Sequence, residues 1–135
     1  MQSKPENSSD TPLHLYEYAV VQLTPRVERG EVINVGLVMM CKRRRRVWAR
    51  IEFPRELVAL LDRDADIDAI EAQLRSFELI AQGCPGPIGT LEAHERFRWL
   101  TAVRSACITT TRPHPGLTHD LDATFEKLFE AYVKR

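Results

Sequence analysis

Apolar residues recur at every second position through the first half of the chain. Residues 15–23 are rich in Tyr, Val and Leu, and residues 47–53 alternate regularly between apolar and polar types. Between them, one face of residues 31–41 carries Ile33, Val35, Leu37, Met39 and Cys41. Because successive side chains of a strand point to opposite faces, this pattern predicts three strands. Their short connections predict an antiparallel meander.

The period becomes helical after Phe53. Apolar stripes of helical spacing predict helices over residues 54–62, 66–82, 90–102 and 120–134. Asp66 and Thr90 are expected to cap the second and third of these helices, and Gly83 to end the second. Residues 105–111 are rich in β-branched types and predict a fourth strand, and residues 112–117 predict a turn.

Strands early in the chain and helices late predict an α+β fold. We expect a four-stranded antiparallel sheet, consisting of the meander and the later strand beside its first strand, covered on one face by helices. The helices 66–82 and 120–134 are both expected on the face that carries Ile33, Val35, Leu37, Val47, Ala49 and Ile51. Residues 13–135 are predicted to form a single domain, preceded by a polar, disordered tail over residues 1–12.

Composition narrows the class of protein. The chain has 135 residues and a formal net charge of zero, so attraction to a charged partner must come from a local patch. Its three cysteines lack the short spacing of a zinc or redox motif, which favours reduced thiols in a cytoplasmic protein. No apolar run is long enough to span a membrane, and neither a metal site nor a cofactor is predicted.

A charged turn precedes the second strand. Arg26, Glu28, Arg29 and Glu31 either are solvated charges of a hairpin or take part in a binding site. Asn34 follows among apolar residues, where an amide is costly unless its polar atoms are paired. We expect Asn34 to support a polar network with Arg26, Arg29 or Glu31, with a backbone loop such as residues 86–89 or a ligand as the alternative partner.

Two other arginine clusters are candidate binding sites. Arg43, Arg44, Arg45 and Arg46 occupy the second hairpin connection, which is either a solvated tip or a contact surface for an acidic protein or a phosphate backbone. Trp48, just beyond them, could stack on a base or pack on a partner. The third helical region contributes Arg96, Arg98 and Arg104, which could form an anion site or stay solvated.

Catalytic residues are not predicted. The chain has no glycine-rich phosphate loop and no nucleophile elbow. Its histidines lack the i, i+4 spacing of helical metal ligands, and His114 and His119 before the last helix fit a capping cluster as well as an acid or base.

Four segments carry a resemblance to a known family: "YEYAVVQLTPRVERGEVINVGLVMMCK", "GPIG", "ERFRWLTAVRS" and "HPGL". In order and spacing they resemble the bacterial domain of unknown function 3037. The family tends to have Pro where this chain has Val103, and Thr where it has Pro115. The resemblance implies no established activity or cofactor. It implies a partner, because genes of this family often lie beside one for a kinase-like protein resembling the HipA toxins.

Two functional hypotheses follow. The first is a non-enzymatic interaction module, an accessory or regulatory partner of a HipA-like kinase. The alternative is a protein that binds or processes nucleic acid through its basic hairpin tip. An unpaired edge of the sheet would also permit a homodimer.

Overall fold

One antiparallel sheet organises the chain. The computed structural model describes residues 12–103, 105 and 107–135. The predicted tail lies outside these residues except for Pro12. Within the described residues the strands are β1 (His14–Leu23), β2 (Ile33–Cys41), β3 (Arg46–Ile51), β4 (Ile108–Thr110) and β5 (His114–Thr118). The fold is α+β with an open sheet, as the sequence predicts.

The strand order is β3-β2-β1-β4, and β5 also pairs with β1. The predicted meander and the later strand beside its first strand are therefore confirmed. The turn predicted over residues 112–117 is wrong, because β5 continues along the edge that β4 begins. The N–H of Thr111 donates to the carbonyl oxygen of Val20 at 2.9 Å and bridges the two short strands. β4 thus covers one end of β1 and β5 the other.

Four helices follow the predicted stripes: α1 (Arg55–Leu61), α2 (Ile67–Ala81), α3 (Ala93–Thr101) and α4 (Leu121–Tyr132). Asp66 caps α2 as expected, accepting from the N–H of Ala69 at 3.1 Å. Thr90 does not cap α3. Glu92 does so instead, in a capping box with Glu95.

Helices cover both faces of the sheet, which corrects the prediction of one covered face. Leu74 and Phe77 of α2 pack in a core with Val21, Val35 and other residues of the first face. On the second face, α4 packs in a separate core; its members include Val20, Leu37, Met39, Cys41, Trp48, Phe125 and Phe129. Helices α2 and α4 are therefore on opposite faces.

A bulge in β2 explains why simple alternation misassigned the faces. Val21 pairs with Gly36 but Gln22 pairs with Asn34, so Val35 is an extra residue in β2. Val35 consequently packs in the first core, whereas Leu37 packs in the second. A strand with an apolar residue on each face is typical of a sheet buried on both sides.

At Gly36 the backbone of β2 packs closely against β3 and the first core. A Cβ atom there would be 2.5 Å from Cδ1 of Ile51 and 2.9 Å from the carbonyl oxygen of Arg50. The side chain could move, but the carbonyl belongs to the paired strand β3. The bulged strand therefore requires glycine at this position.

Candidate functional site

The charged turn before β2 neutralises itself. Residues 27–29 form one turn of 3-10 helix, and Gly30 ends it in the left-handed conformation with φ of 71°. Arg26 pairs with Glu28 at 2.8 Å, and Arg29 pairs with Glu31 at 3.1 Å. The hydrogen bond from Arg26 lowers the pKa of the Glu28 carboxyl. Each charge of the turn thus has an opposite charge two residues away, which leaves little net attraction for a partner.

Asn34 has different partners from those predicted. Its Oδ1 accepts from Nε2 of Gln22 at 3.0 Å, and its Nδ2 donates to the carbonyl oxygen of Tyr132 at 2.9 Å. The guanidinium of Arg135 also donates to the Asn34 carbonyl oxygen. The expected network with Arg26, Arg29 or Glu31 is therefore wrong. Asn34 instead joins β1, β2 and the end of α4.

The hairpin between β2 and β3 carries the strongest local charge. Lys42, Arg43, Arg44 and Arg45, which we name the basic tip, are all exposed. The N–H of Arg45 donates to the carbonyl oxygen of Lys42 at 3.1 Å, and Arg45 has a left-handed φ of 53°. Among the described residues, no carboxylate pairs with any of these four side chains. Within the described part of the chain, the tip is thus a cluster of positive charge without a carboxylate partner.

Arg46 is also exposed, but it differs from the residues of the basic tip because it pairs with a carboxylate. Its guanidinium binds the carboxylate of Asp122 on α4 through two hydrogen bonds of 2.9 and 3.3 Å. It also lies 4.3 Å from the centre of the Trp48 ring. The charge of Arg46 is therefore used within the fold, to hold α4 against β3.

Trp48 is buried beneath α4 and is not available to stack on a base. Its indole N–H donates to Oδ1 of Asp122 at 2.9 Å. This bond, with the bonds from Arg46, lowers the pKa of the Asp122 carboxyl. One helical turn later Glu126 pairs with Arg50 at 2.6 Å. The hydrogen bond from Arg50 lowers the pKa of Glu126 in the same way.

The arginines of α3 have separate environments. Arg96 donates to the carbonyl oxygens of Leu91 at 2.7 Å and Ala81 at 3.4 Å. Its Nε is buried and has no hydrogen-bond partner. Arg98 is exposed, and Arg104 lies outside the described residues. Arg96 is thus positioned by backbone oxygens, with no described carboxylate to balance its charge.

One groove joins the basic tip to α3 and to the end of the sheet. It has a volume of about 840 Å³. Its lining comes from the tip (Lys42, Arg43, Arg45), the sheet (Leu13, Leu15, Leu117) and the start of α3 (residues 92–94 and 96). We name it the tip groove. Arg44 lies on the other side of the tip, over a smaller depression of about 210 Å³ beside the start of α4.

The tip groove brings together only some of the predicted site residues. Arg43, Arg45 and Arg96 line it, whereas Asn34 lies at the opposite end of β2, paired with Gln22. The three leucines of the groove were not predicted as site residues. Leu13 and Leu15 do alternate with His14, as in a strand. No signal in the sequence, however, shows that the helices leave these leucines uncovered.

Metal binding and membrane crossing gain no support from the described residues. Among them, His, Cys, Asp and Glu side chains form no group of three or more suited to a metal ion. None of the helices within the same residues combines the length and apolarity needed to cross a bilayer.

Comparison with known proteins identifies a family. Curated proteins and solved structures gave no significant match. The family model described as "Protein of unknown function (DUF3037)" matches residues 18–133, which include β2, β3, the basic tip and all four helices. Because the match extends over nearly the whole chain, the protein belongs to the DUF3037 family.

Proposed function

We propose that the protein is a non-enzymatic interaction module whose basic tip docks on an acidic surface of a partner protein. The observation that carries this proposal is that three consecutive arginines of the tip lack carboxylate partners among the described residues, whereas the other described arginines without one (Arg63, Arg96, Arg98 and Arg112) are not adjacent to one another in sequence. Seven arginines pair with carboxylates: Arg26, Arg29, Arg46, Arg50, Arg55, Arg75 and Arg135. The three consecutive arginines of the tip have no such partner in the described part of the chain.

Uncompensated charge at an exposed tip acts mainly on association. Like charges on adjacent residues repel one another, so the charges of the cluster do not stabilise the fold. The same cluster attracts an acidic surface over a distance of about 8 Å at physiological salt and accelerates encounter with it. The hairpin presents this charge at a defined place, because Arg46 and Trp48 attach its base to α4.

A HipA-like kinase is the first candidate partner, because the family resemblance implies that a gene for such a protein often lies beside a gene of this family. An accessory or regulatory role beside such a kinase requires binding but no chemistry from this chain. Nucleic acid is the alternative occupant of the tip, since phosphates also attract arginines. The burial of Trp48 favours the protein partner, because it removes the one aromatic ring next to the tip that could stack on a base.

The proposal is tested by reversing charge at the tip and measuring association with the kinase-like protein. We choose Arg43→Glu with Arg44→Glu, and leave Arg45 in place because of its left-handed backbone. The double variant is expected to associate about tenfold more slowly at low salt, with the difference shrinking as salt is added. Arg63→Glu with Arg112→Glu is the matched control, since both residues are exposed and carry the same charge.

Two results would overturn the proposal. One is a tip variant that binds the kinase-like protein as fast as the parent at low salt. The other is salt-sensitive retention of the parent on RNA or DNA that the tip variant loses while its protein binding stays intact. The second result would assign the tip to nucleic acid.

A further inference from the structure

We propose that the tip groove binds a segment of the partner protein that carries both acidic and large aliphatic side chains. The inference rests on the proposed function, because it takes the partner's acidic surface as given and names the part that enters the groove. It adds an apolar contact, which the charge of the tip alone does not require.

The floor of the tip groove is an exposed apolar patch. Leu13, Leu15 and Leu117 are 52%, 61% and 62% exposed. Leu15 and Leu117 are paired across β1 and β5, so their side chains lie side by side on the same face of the sheet. Exposed leucines that are contiguous, and surrounded by charged residues, are typical of interaction sites. The floor would therefore gain from burial by aliphatic side chains.

The walls of the groove determine the charge of its occupant. Lys42, Arg43 and Arg45 of the tip and Arg96 of α3 all line the groove. Glu92 is the one carboxylate in the lining, and it already caps α3. The groove thus has an excess of positive charge beside an apolar floor. Carboxylates at the walls and aliphatic groups at the floor are the complementary arrangement.

Strand addition to β5 is a poor way to occupy this site. Val20 directs its backbone groups toward the β4 and β5 edge, because its carbonyl oxygen accepts from Thr111. Because backbone groups alternate in direction along a strand, Tyr16 and Tyr18 also direct theirs toward β5. The backbone groups of Pro115 and Leu117 therefore point away from β1, to the open edge of the sheet. Pro115 has no N–H, which leaves this edge with few donors. Recognition must therefore come from side chains in the groove.

Other occupants of the groove fit less well. Nucleic acid would place phosphates at the walls, but the floor is made of leucines, and His94 is the one ring in the described lining that could stack on a base. An anionic membrane would match the positive charge and the leucines. A bilayer is flat, however, whereas the leucines form the floor of a concavity bounded by α3 and the hairpin. A protein segment can enter that concavity.

The experiment uses a fluorescent synthetic peptide in which Glu and Leu alternate, with binding followed by anisotropy. Control peptides alternate Glu with Ser and Lys with Leu. The parent protein is expected to bind the Glu-Leu peptide about tenfold more tightly than the Glu-Ser peptide, and the Lys-Leu peptide most weakly. Equal binding of the Glu-Leu and Glu-Ser peptides overturns the inference, since the leucines would then contribute nothing.

Protein variants separate the groove from the tip. Leu15→Ser with Leu117→Ser should weaken binding of the Glu-Leu peptide about tenfold and leave the Glu-Ser peptide unchanged. The matched control is Leu60→Ser with Leu79→Ser, because those leucines are 80% and 53% exposed and lie outside the groove. Circular dichroism and thermal melts of each variant establish that it is folded.

The outcomes distinguish the two proposals. If the tip variant Arg43→Glu with Arg44→Glu loses the kinase-like protein while Leu15→Ser with Leu117→Ser keeps it, the tip docks but the groove inference is overturned. If neither variant affects that binding, the proposed function fails as well. Binding to phosphatidylserine vesicles that depends on Leu15 and Leu117, without binding of the Glu-Leu peptide, would assign the groove to membranes and overturn the inference.

Discussion

The carboxylate of Asp122 on α4 accepts a hydrogen bond of 2.9 Å from the indole N–H of Trp48 on β3. Asp122 also binds Arg46, whose guanidinium lies over the same indole ring. One carboxylate therefore satisfies the polar atom of a buried tryptophan and fixes the helix on the second face of the sheet. It also removes Arg46 from the basic tip, so four residues and not five present free charge there.

Substitutions of Asp122 should separate these two contributions. Asp122→Ala leaves the buried indole N–H of Trp48 without a partner, and we expect it to lower the free energy of unfolding by about 1 to 3 kcal/mol. Asp122→Asn keeps an oxygen for the indole and loses only an exposed ion pair, so we expect a loss below about 1 kcal/mol. Urea unfolding measures both. Equal losses would contradict the primary role given to the indole bond.

The contribution of the Asp122 charge should disappear in acid. Its pKa is lowered in the folded state, first by the bond from Trp48 and then by those from Arg46. A carboxyl of this kind stabilises the fold above its unfolded pKa of about 4, and the stabilisation is lost as pH falls through the lower folded pKa. The difference in stability between the parent and Asp122→Asn should therefore shrink below about pH 4. Thermal melts at a series of pH values test this, and a constant difference would refute it.

Asn34→Ala should destabilise the junction of β1, β2 and α4. The substitution removes the acceptor of Gln22 and the donor to the Tyr132 carbonyl. Because the bond from Gln22 is only partly buried and the bond to Tyr132 is exposed, we expect a loss of about 1 kcal/mol in the free energy of unfolding. Combining it with Gln22→Ala should cost less than the sum of the single variants, since they share one bond. An unchanged melting temperature for Asn34→Ala would show that these bonds contribute nothing.

Gly36→Ala should strain the bulge in β2. Its Cβ would clash with the Ile51 side chain and with the carbonyl oxygen of Arg50. We expect a loss of about 1 to 3 kcal/mol in the free energy of unfolding. Adding Ile51→Val removes the clashing Cδ1 but not the carbonyl contact, so it should rescue only part of the loss. Full rescue would mean that the backbone contact has no cost.

Charge reversal at the basic tip should leave the fold intact. Arg43 and Arg44 are exposed and have no described carboxylate partner, so Arg43→Glu with Arg44→Glu breaks no ion pair. It also lessens repulsion within the tip. We expect a change of less than about 0.5 kcal/mol in the free energy of unfolding. A substantial loss of stability would show that the tip has a structural role, and would complicate its use as a binding probe.

Part of the candidate site could be predicted because it depends on local sequence. Four adjacent basic residues between two strands must lie at a hairpin end, and Arg43, Arg44 and Arg45 do. The partner of Arg46 could not be predicted, because Asp122 is separated from it by most of the chain. The partners of Asn34 could not be predicted either, because its contacts with Gln22 and Tyr132 depend on how β1 and α4 pack against β2.

The sequence by itself determined the antiparallel meander, the helical stripes and the cap at Asp66, since periodicity and capping depend on residues within a few positions of each other. Only the tertiary structure decided that α4 lies on the second face and that the bulge puts Val35 and Leu37 in different cores, because both depend on contacts between distant segments. It also decided that Leu13, Leu15 and Leu117 stay uncovered beside the basic tip. Their exposure depends on where α3 begins relative to the sheet, which is a relation between distant segments and not a property of any one of them.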